Sequence, residues 1–96
     1  MIKHIVIWRL KEENREENAQ KIKESLESLN GQIPGLLHLE VGIDFSKQES
    51  SGDIVLYSEF ETKEDLDAYI VHPKHVAAGA LVREAVCDRR MIDYIK

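Results

Sequence analysis

Residues 2–10, IKHIVIWRL, constrain the fold more than any other stretch of the chain. They are rich in β-branched and aromatic side chains, which predicts a β-strand. Successive side chains of a strand point to opposite faces of its sheet. Here both faces are apolar, with Val6 and Trp8 on one and Ile5 and Ile7 on the other. A strand of this kind requires cover on both sides of the sheet.

Two helical regions are predicted from spacing and capping signals. The first begins with a capping-box pattern at Asn14 and Glu17. It then carries one apolar stripe made of Ala19, Ile22, Leu26, Leu29 and Ile33. The second is capped by Thr62, breaks at Pro73 and resumes to about residue 86.

Three further strands are predicted, over residues 37–45, 54–60 and 88–95. The alternation of the second strand places on one face Leu37, Leu39, Val41, Ile43 and Phe45. The resulting order, β-α-β-β-α-β, is that of the ferredoxin-like α+β fold, a four-stranded antiparallel sheet with its helices on one face. We expect residues 1–96 to form a single domain of this type.

The face of the sheet without helices is predicted to bind a second copy of the chain. The third strand is also apolar on both sides, with Ile54 and Leu56 opposed to Val55 and Tyr57. Helices cover one face only, and monomers rarely expose an apolar patch of this size. A second sheet is the economical cover, so we expect a symmetric homodimer through the sheet face.

Composition excludes several classes of function. The 96 residues carry a net charge of −5 with scattered basic residues, which argues against a nucleic-acid partner. The single cysteine, Cys87, cannot form an intrachain disulfide. No apolar stretch is long enough for a membrane helix. We therefore expect a cytoplasmic protein with no membrane partner.

The stretch YIVHPKHVAAG, residues 69–79, is the candidate site for chemistry. Pro73 favours an extended His72 as a helix N-cap, which puts His75 in the first helical turn. A helix N-terminus disfavours protonation of the ring, and a neutral imidazole is what a general base requires. Tyr69 is placed to donate a hydrogen bond to a developing oxyanion.

Each of these residues also has a purely structural explanation. His72 fits a cap, His75 fits a pocket wall without catalysis, and Tyr69 fits a core aromatic. His4, on the same strand face as Trp8, fits a hydrogen-bonded core histidine. The two histidines of the motif straddle a helix start and no cysteine cluster accompanies them, so we expect no metal and no cofactor.

Three stretches of the chain resemble the stress-responsive dimeric α/β-barrel (Dabb) family. They are IKHIVIWRLK, IPGLLHLEVGID and, most specifically, DAYIVHPKHVAAG, and the resemblance covers essentially the whole chain. It implies a ferredoxin-like fold that dimerises sheet to sheet into a barrel. It also implies no single function, because the family includes uncharacterised bacterial proteins, plant members linked to stress tolerance and a plant polyketide cyclase.

The cyclase member performs an aldol-type ring closure, and the resemblance carries its tyrosine and second histidine onto Tyr69 and His75 as catalytic candidates. Its strand-1 pocket histidine matches His4. Leu26 stands where the cyclase has an aromatic residue, and Asp53 stands where it has a histidine. The residues expected to bind substrate are His4, Trp8, Leu26, His72 and Val76.

The leading hypothesis is a pocket that binds a small carbonyl or polyketide molecule and performs cofactor-free, cyclase-like acid–base chemistry on it. The alternative is a non-catalytic stress-associated dimer that acts through assembly or partner binding. A cofactor-free monooxygenase follows only by analogy of fold. An open apolar cavity that reaches His75 would favour the first hypothesis over the second.

Overall fold

The computed structural model describes residues 1–96, and its elements follow the predicted order, with the second helical region divided into three. The elements are β1 Ile2–Leu10, α1 Arg15–Glu27, β2 Leu36–Ile43, β3 Ile54–Phe60, α2 Lys63–Val71, α3 Pro73–Ala78, α4 Ala80–Ala85 and β4 Val86–Ile95. The strands form one antiparallel sheet in the order β2-β3-β1-β4. The ferredoxin-like prediction, with helices on one face, is confirmed.

The central strand β1 organises the core. It pairs with β3 on one side and with β4 on the other. Its alternate residues Ile2, His4, Val6, Trp8 and Leu10 are all buried. This side of β1 faces the helices, and it places His4 and Trp8 beneath the helical layer.

The start and end of α1 differ from the prediction. Asn14 precedes the helix in the left-handed conformation, with φ of 54°, and its side chain makes no capping hydrogen bond. An N-cap side chain needs extended backbone to reach the free N–H groups, so the predicted capping box is wrong. The helix ends at Glu27, and Leu29 and Ile33 are buried in the turns that follow it.

The break between α2 and α3 follows the prediction. Thr62 caps α2, with its hydroxyl accepting a hydrogen bond from the Asp65 N–H at 3.1 Å. His72 is extended, with φ of −65° and ψ of 133°, and Pro73 occupies the first position of α3. The Nδ1 atom of His72 accepts from the Lys74 N–H at 3.1 Å, so the predicted N-cap is confirmed.

The second strand departs from the predicted face at its two ends, whereas Leu39 and Val41 are buried as expected. A bulge between Leu36 and His38 makes Leu36 the buried residue and leaves Leu37 49% exposed. The strand ends at Ile43, which is 42% exposed, and Phe45 beyond it is 92% exposed. One extra residue in a bulge reverses the side to which the neighbouring side chains point, and strict alternation does not anticipate it.

The face of the sheet opposite the helices is left uncovered in the single chain. Cross-strand register places Ile5 beside Tyr57 and Ile92, and Ile7 beside Val55. Ile7 and Ile92 are 42% and 58% exposed. We call this set, together with Tyr94, the open face. No helix of the chain is long and apolar enough to cross a membrane.

Candidate active site

A cavity of about 350 Å³ lies between the sheet and the segment from α2 to β4. Thirteen residues line it, and eight of them are hydrophobic. The lining brings together four of the predicted site residues: His4, Trp8, Leu26 and His75. A mostly apolar wall with a few polar groups is typical of sites that bind small organic molecules.

The geometry of His75 defines its tautomer. Its Nδ1 atom lies 3.0 Å from the Ile70 carbonyl oxygen, which can only accept, so Nδ1 carries the proton. Burial lowers the pKa of the imidazole below its ordinary value of 6.5, and the Ile70 bond opposes this shift only in part. His4, Arg83 and His72 lower the pKa further by their charge. Near neutral pH the ring is therefore uncharged, with a lone pair on Nε2.

The lowered pKa predicts that acid destabilises the protein through His75. The native state binds fewer protons at this ring than the unfolded chain, so the free energy of unfolding falls as the pH drops below 6.5. Above pH 6.5 the ring is mostly uncharged in both the native and the unfolded state, so its titration no longer lowers the free energy of unfolding. Urea unfolding of wild type and His75→Gln across this pH range should show a steeper loss in wild type. Parallel curves would contradict the prediction.

Tyr69 stands between the two histidines of the site. Its ring is completely buried, with its centroid 4.2 Å from that of His75, 5.0 Å from Phe60 and 6.3 Å from His4. Burial raises the pKa of the phenol above its ordinary value, which keeps it protonated. The hydroxyl has no hydrogen-bond partner within the chain. Because buried hydroxyls are normally paired, this is an unused donor on the ring that packs against His75.

Removing that hydroxyl should not cost stability. Tyr69→Phe deletes a polar group that is buried without a partner, and we expect the free energy of unfolding to stay constant or rise by up to about 1 kcal/mol. Ser58→Ala is the matched control, because the buried Ser58 hydroxyl donates to the His4 carbonyl at 3.1 Å. That variant should lose about 1 kcal/mol. A larger loss in Tyr69→Phe than in Ser58→Ala, measured by urea unfolding, would show that the hydroxyl is paired in solution.

His4 is held by the edge strand β4. Asp93 lies opposite it in the register of β1 and β4, and the Asp93 carboxylate bonds to His4 Nδ1. This contact fixes the orientation of the ring and leaves Nε2 as its free nitrogen. The site therefore holds two imidazoles, each with Nδ1 engaged by an oxygen. No group of three or more His, Cys, Asp or Glu side chains is arranged to hold a metal ion.

Three predicted site residues are not part of the cavity lining. His72 caps α3, and that bond turns its ring toward the backbone. Val76 is 46% exposed on the outer side of α3. The structure therefore does not bring these two residues, which were expected to bind substrate, to the cavity. Tyr69 packs behind the wall, against the His75 ring, rather than forming part of it.

Sequence reasoning missed the two arginines of the cavity, Arg83 from α4 and Arg89 from β4. Arg89 lies opposite Trp8 in the strand register, so it shares the inward side of β1. The stretch DRRMIDYI has no clean alternation to reveal this. The signal would have been the pairing of β4 with β1, which local sequence does not report.

Residues 2–96 match the model of the family described as the Stress responsive A/B Barrel Domain. The chain belongs to this family. The recognition made from the three sequence stretches is thereby confirmed. Membership in the stress-responsive A/B barrel family does not by itself assign an activity, because relatives within the family carry different functions.

Two curated proteins and one protein of known crystal structure illustrate the range of functions among the relatives of this chain. The chain is 31% identical over 102 residues to a stress-response A/B barrel domain-containing protein of Arabidopsis thaliana, covering 99% of this chain but only 36% of that protein. It is 29% identical over 96 residues to olivetolic acid cyclase of Cannabis sativa, covering 97% and 94% of the two chains. A dimeric ferredoxin-like protein of unknown function from Bacteroides fragilis is 33% identical, with a TM-score of 0.88 over 97% and 93%.

Proposed function

We propose that this A/B barrel protein binds a small organic molecule of carbonyl or polyketide type and performs cofactor-free acid–base chemistry on it. The observation that carries the proposal is the cavity of about 350 Å³ that exposes His75 and His4 in an otherwise largely apolar wall. A core closed by side chains would have favoured a non-catalytic dimer. The near full-length similarity to olivetolic acid cyclase supports a cyclase-like reaction.

In the proposed reaction, Nε2 of the neutral His75 ring accepts a proton from a C–H group activated by a neighbouring carbonyl. The electron pair of that bond moves into the carbonyl and leaves an enolate oxygen, which the Tyr69 hydroxyl stabilises by donating a hydrogen bond. The enolate carbon attacks a second carbonyl of the same molecule, and one carbon–carbon bond forms. The His75 imidazolium then returns its proton to the new alkoxide.

The residues suit these roles for different reasons. Burial lowers the pKa of His75, which keeps the base unprotonated near neutral pH. Burial raises the pKa of Tyr69, which keeps the donor protonated. The hydroxyl of Tyr69 has no partner to give up before it bonds to a substrate oxygen. The ring centroids lie 4.2 Å apart, but Tyr69 lies behind the cavity wall, so its proposed role requires the wall to open toward the hydroxyl when a substrate binds.

We further infer that the working unit is a homodimer formed through the open face. The support is the apolar character of Ile5, Ile7, Val55, Ile92 and Tyr94 on a face that no helix covers. The Bacteroides fragilis relative is itself described as dimeric. A self-complementary apolar sheet face is the usual surface of a two-fold symmetric contact.

An NMR titration of the histidines tests ligand binding directly. Benzoylacetone, a neutral aromatic 1,3-diketone, should shift the His75 ring signals in a saturable way and change the pKa of that ring. His38 is an internal control, because it is exposed and pairs with Glu40 at 2.8 Å away from the cavity. Its signals should stay in place. A folded protein whose His75 signals do not move with this diketone would overturn the proposal.

A further inference from the structure

We propose that the cavity is selective for organic anions, with an apolar body inside and one carboxylate held at the mouth by Arg83 and Arg89. The proposal rests on the proposed function, which supplies the cavity and its apolar ligand. It adds the chemical class of that ligand. The permanently charged residues of the lining are two arginines, with no aspartate or glutamate among them, and the Asp93 carboxylate that contacts the lining residue His4 is engaged by that ring.

Arg83 is positioned by the backbone around it. Its Nη2 atom donates to the Val76 carbonyl at 3.1 Å, and it pairs with no carboxylate. A Cβ atom at Gly79 would lie 3.0 Å from Nη1 of Arg83. The lack of a side chain there allows the guanidinium to lie across the end of α3, next to the cavity. Its remaining donors are free for a ligand.

Arg89 reaches the cavity from the sheet, on strand β4. It lies across from Trp8 in the register of β1 and β4, which directs it to the helix side of the sheet. It forms no ion pair and no side-chain hydrogen bond. The adjacent Arg90 points to the other side, where it lies across from Ile7 and 3.8 Å from the Asp88 carboxylate.

The charge distribution of the chain favours an anion at the cavity lined by Arg83 and Arg89 over an anion on the rest of the surface. The chain as a whole carries a charge of −5, so it repels anions at long range. Two guanidinium groups without a carboxylate partner in the lining of one cavity are therefore a local exception. Guanidinium matches the planar carboxylate with paired N–H donors, and both arginines are exposed enough to keep that group near solvent.

Calorimetric titration with a matched pair of ligands tests the proposal. The probes are 4-butylbenzoate and 4-butylbenzamide, which have the same apolar body and differ in charge. The variants are Arg89→Gln and Arg83→Gln. Lys21→Gln is the control for an equal change of net charge, because Lys21 is exposed on α1 and pairs with Glu17 away from the cavity and the open face. His75 NMR signals report whether each probe enters the cavity.

In wild type the benzoate should bind roughly tenfold more tightly than the benzamide, which is the range for hydrogen bonds to a charged group. Arg89→Gln and Arg83→Gln should each reduce that preference, and Lys21→Gln should keep it. Equal binding of both probes, with His75 shifts, would overturn the anion selectivity and leave the proposed function standing. No His75 response to either probe would overturn both. A preference that survives in Arg89→Gln and Arg83→Gln would also overturn the anion selectivity.

Discussion

A single charge on the open face is expected to convert the dimer into monomers. Ile92→Asp places a carboxylate at a position that is 58% exposed in the single chain and would be covered in the dimer. Each of the two protomers loses the apolar contact of its Ile92 side chain, which is worth about 1.5–3 kcal/mol. Burying the new carboxylate at the interface adds a further cost. The dissociation constant should therefore rise by at least about a hundredfold.

Sedimentation velocity at micromolar concentration measures this change, since the protomer mass is 11.0 kDa. Wild type should sediment as a dimer and Ile92→Asp as a monomer with the same far-UV circular dichroism. Val71→Asp is the matched control, because Val71 is 72% exposed on α2, away from the open face. Wild type that sediments only as the 11.0 kDa species would contradict the dimer altogether.

Loss of the His75 imidazole is expected to abolish most of the proposed acid–base activity. The assay is deuterium exchange at the activated methylene of benzoylacetone in D₂O, followed by NMR, because it isolates proton abstraction from ring closure. His75→Gln should lower the catalysed rate by about 10²–10⁴-fold, the usual contribution of a positioned general base. Tyr69→Phe should lower it as well, because it removes the donor that stabilises the enolate.

The neighbouring histidine of the same motif provides the control. His72→Asn keeps a side chain that can cap α3 and leaves the cavity lining unchanged. Its exchange rate should match that of wild type. Equal loss in His72→Asn and His75→Gln would mean that the motif acts through the fold of α3. A rate in wild type no higher than in buffer would contradict base catalysis on this substrate.

Much of the fold follows from local signals. The break before α3 is predictable because Pro73 restricts the residue before it, and the structure shows His72 extended at that point. The inward side of β1 is predictable because alternation in a strand is strict, and all its predicted inward residues are buried. The capping of α2 by Thr62 follows from the same kind of short-range chemistry.

The errors arise where a neighbouring element overrides the local pattern. Asn14 has the residue type of a cap but adopts a left-handed conformation, so its side chain does not reach the helix. Leu37 has the alternation of a core residue but falls in a bulge against β3. Val76 lies within the motif that identifies the family and yet faces solvent.

Local sequence was enough to predict the element order, the buried side of β1 and the placement of His75 in a first helical turn. Backbone preferences and periodicity act over a few residues, which is why these features can be inferred from the chain alone. Three other features emerge only in the folded chain: Asp93 holds His4 across 89 residues, Tyr69 keeps a free hydroxyl, and Arg83 and Arg89 share a cavity. These features depend on cross-strand register and on packing between distant elements, which local sequence does not specify.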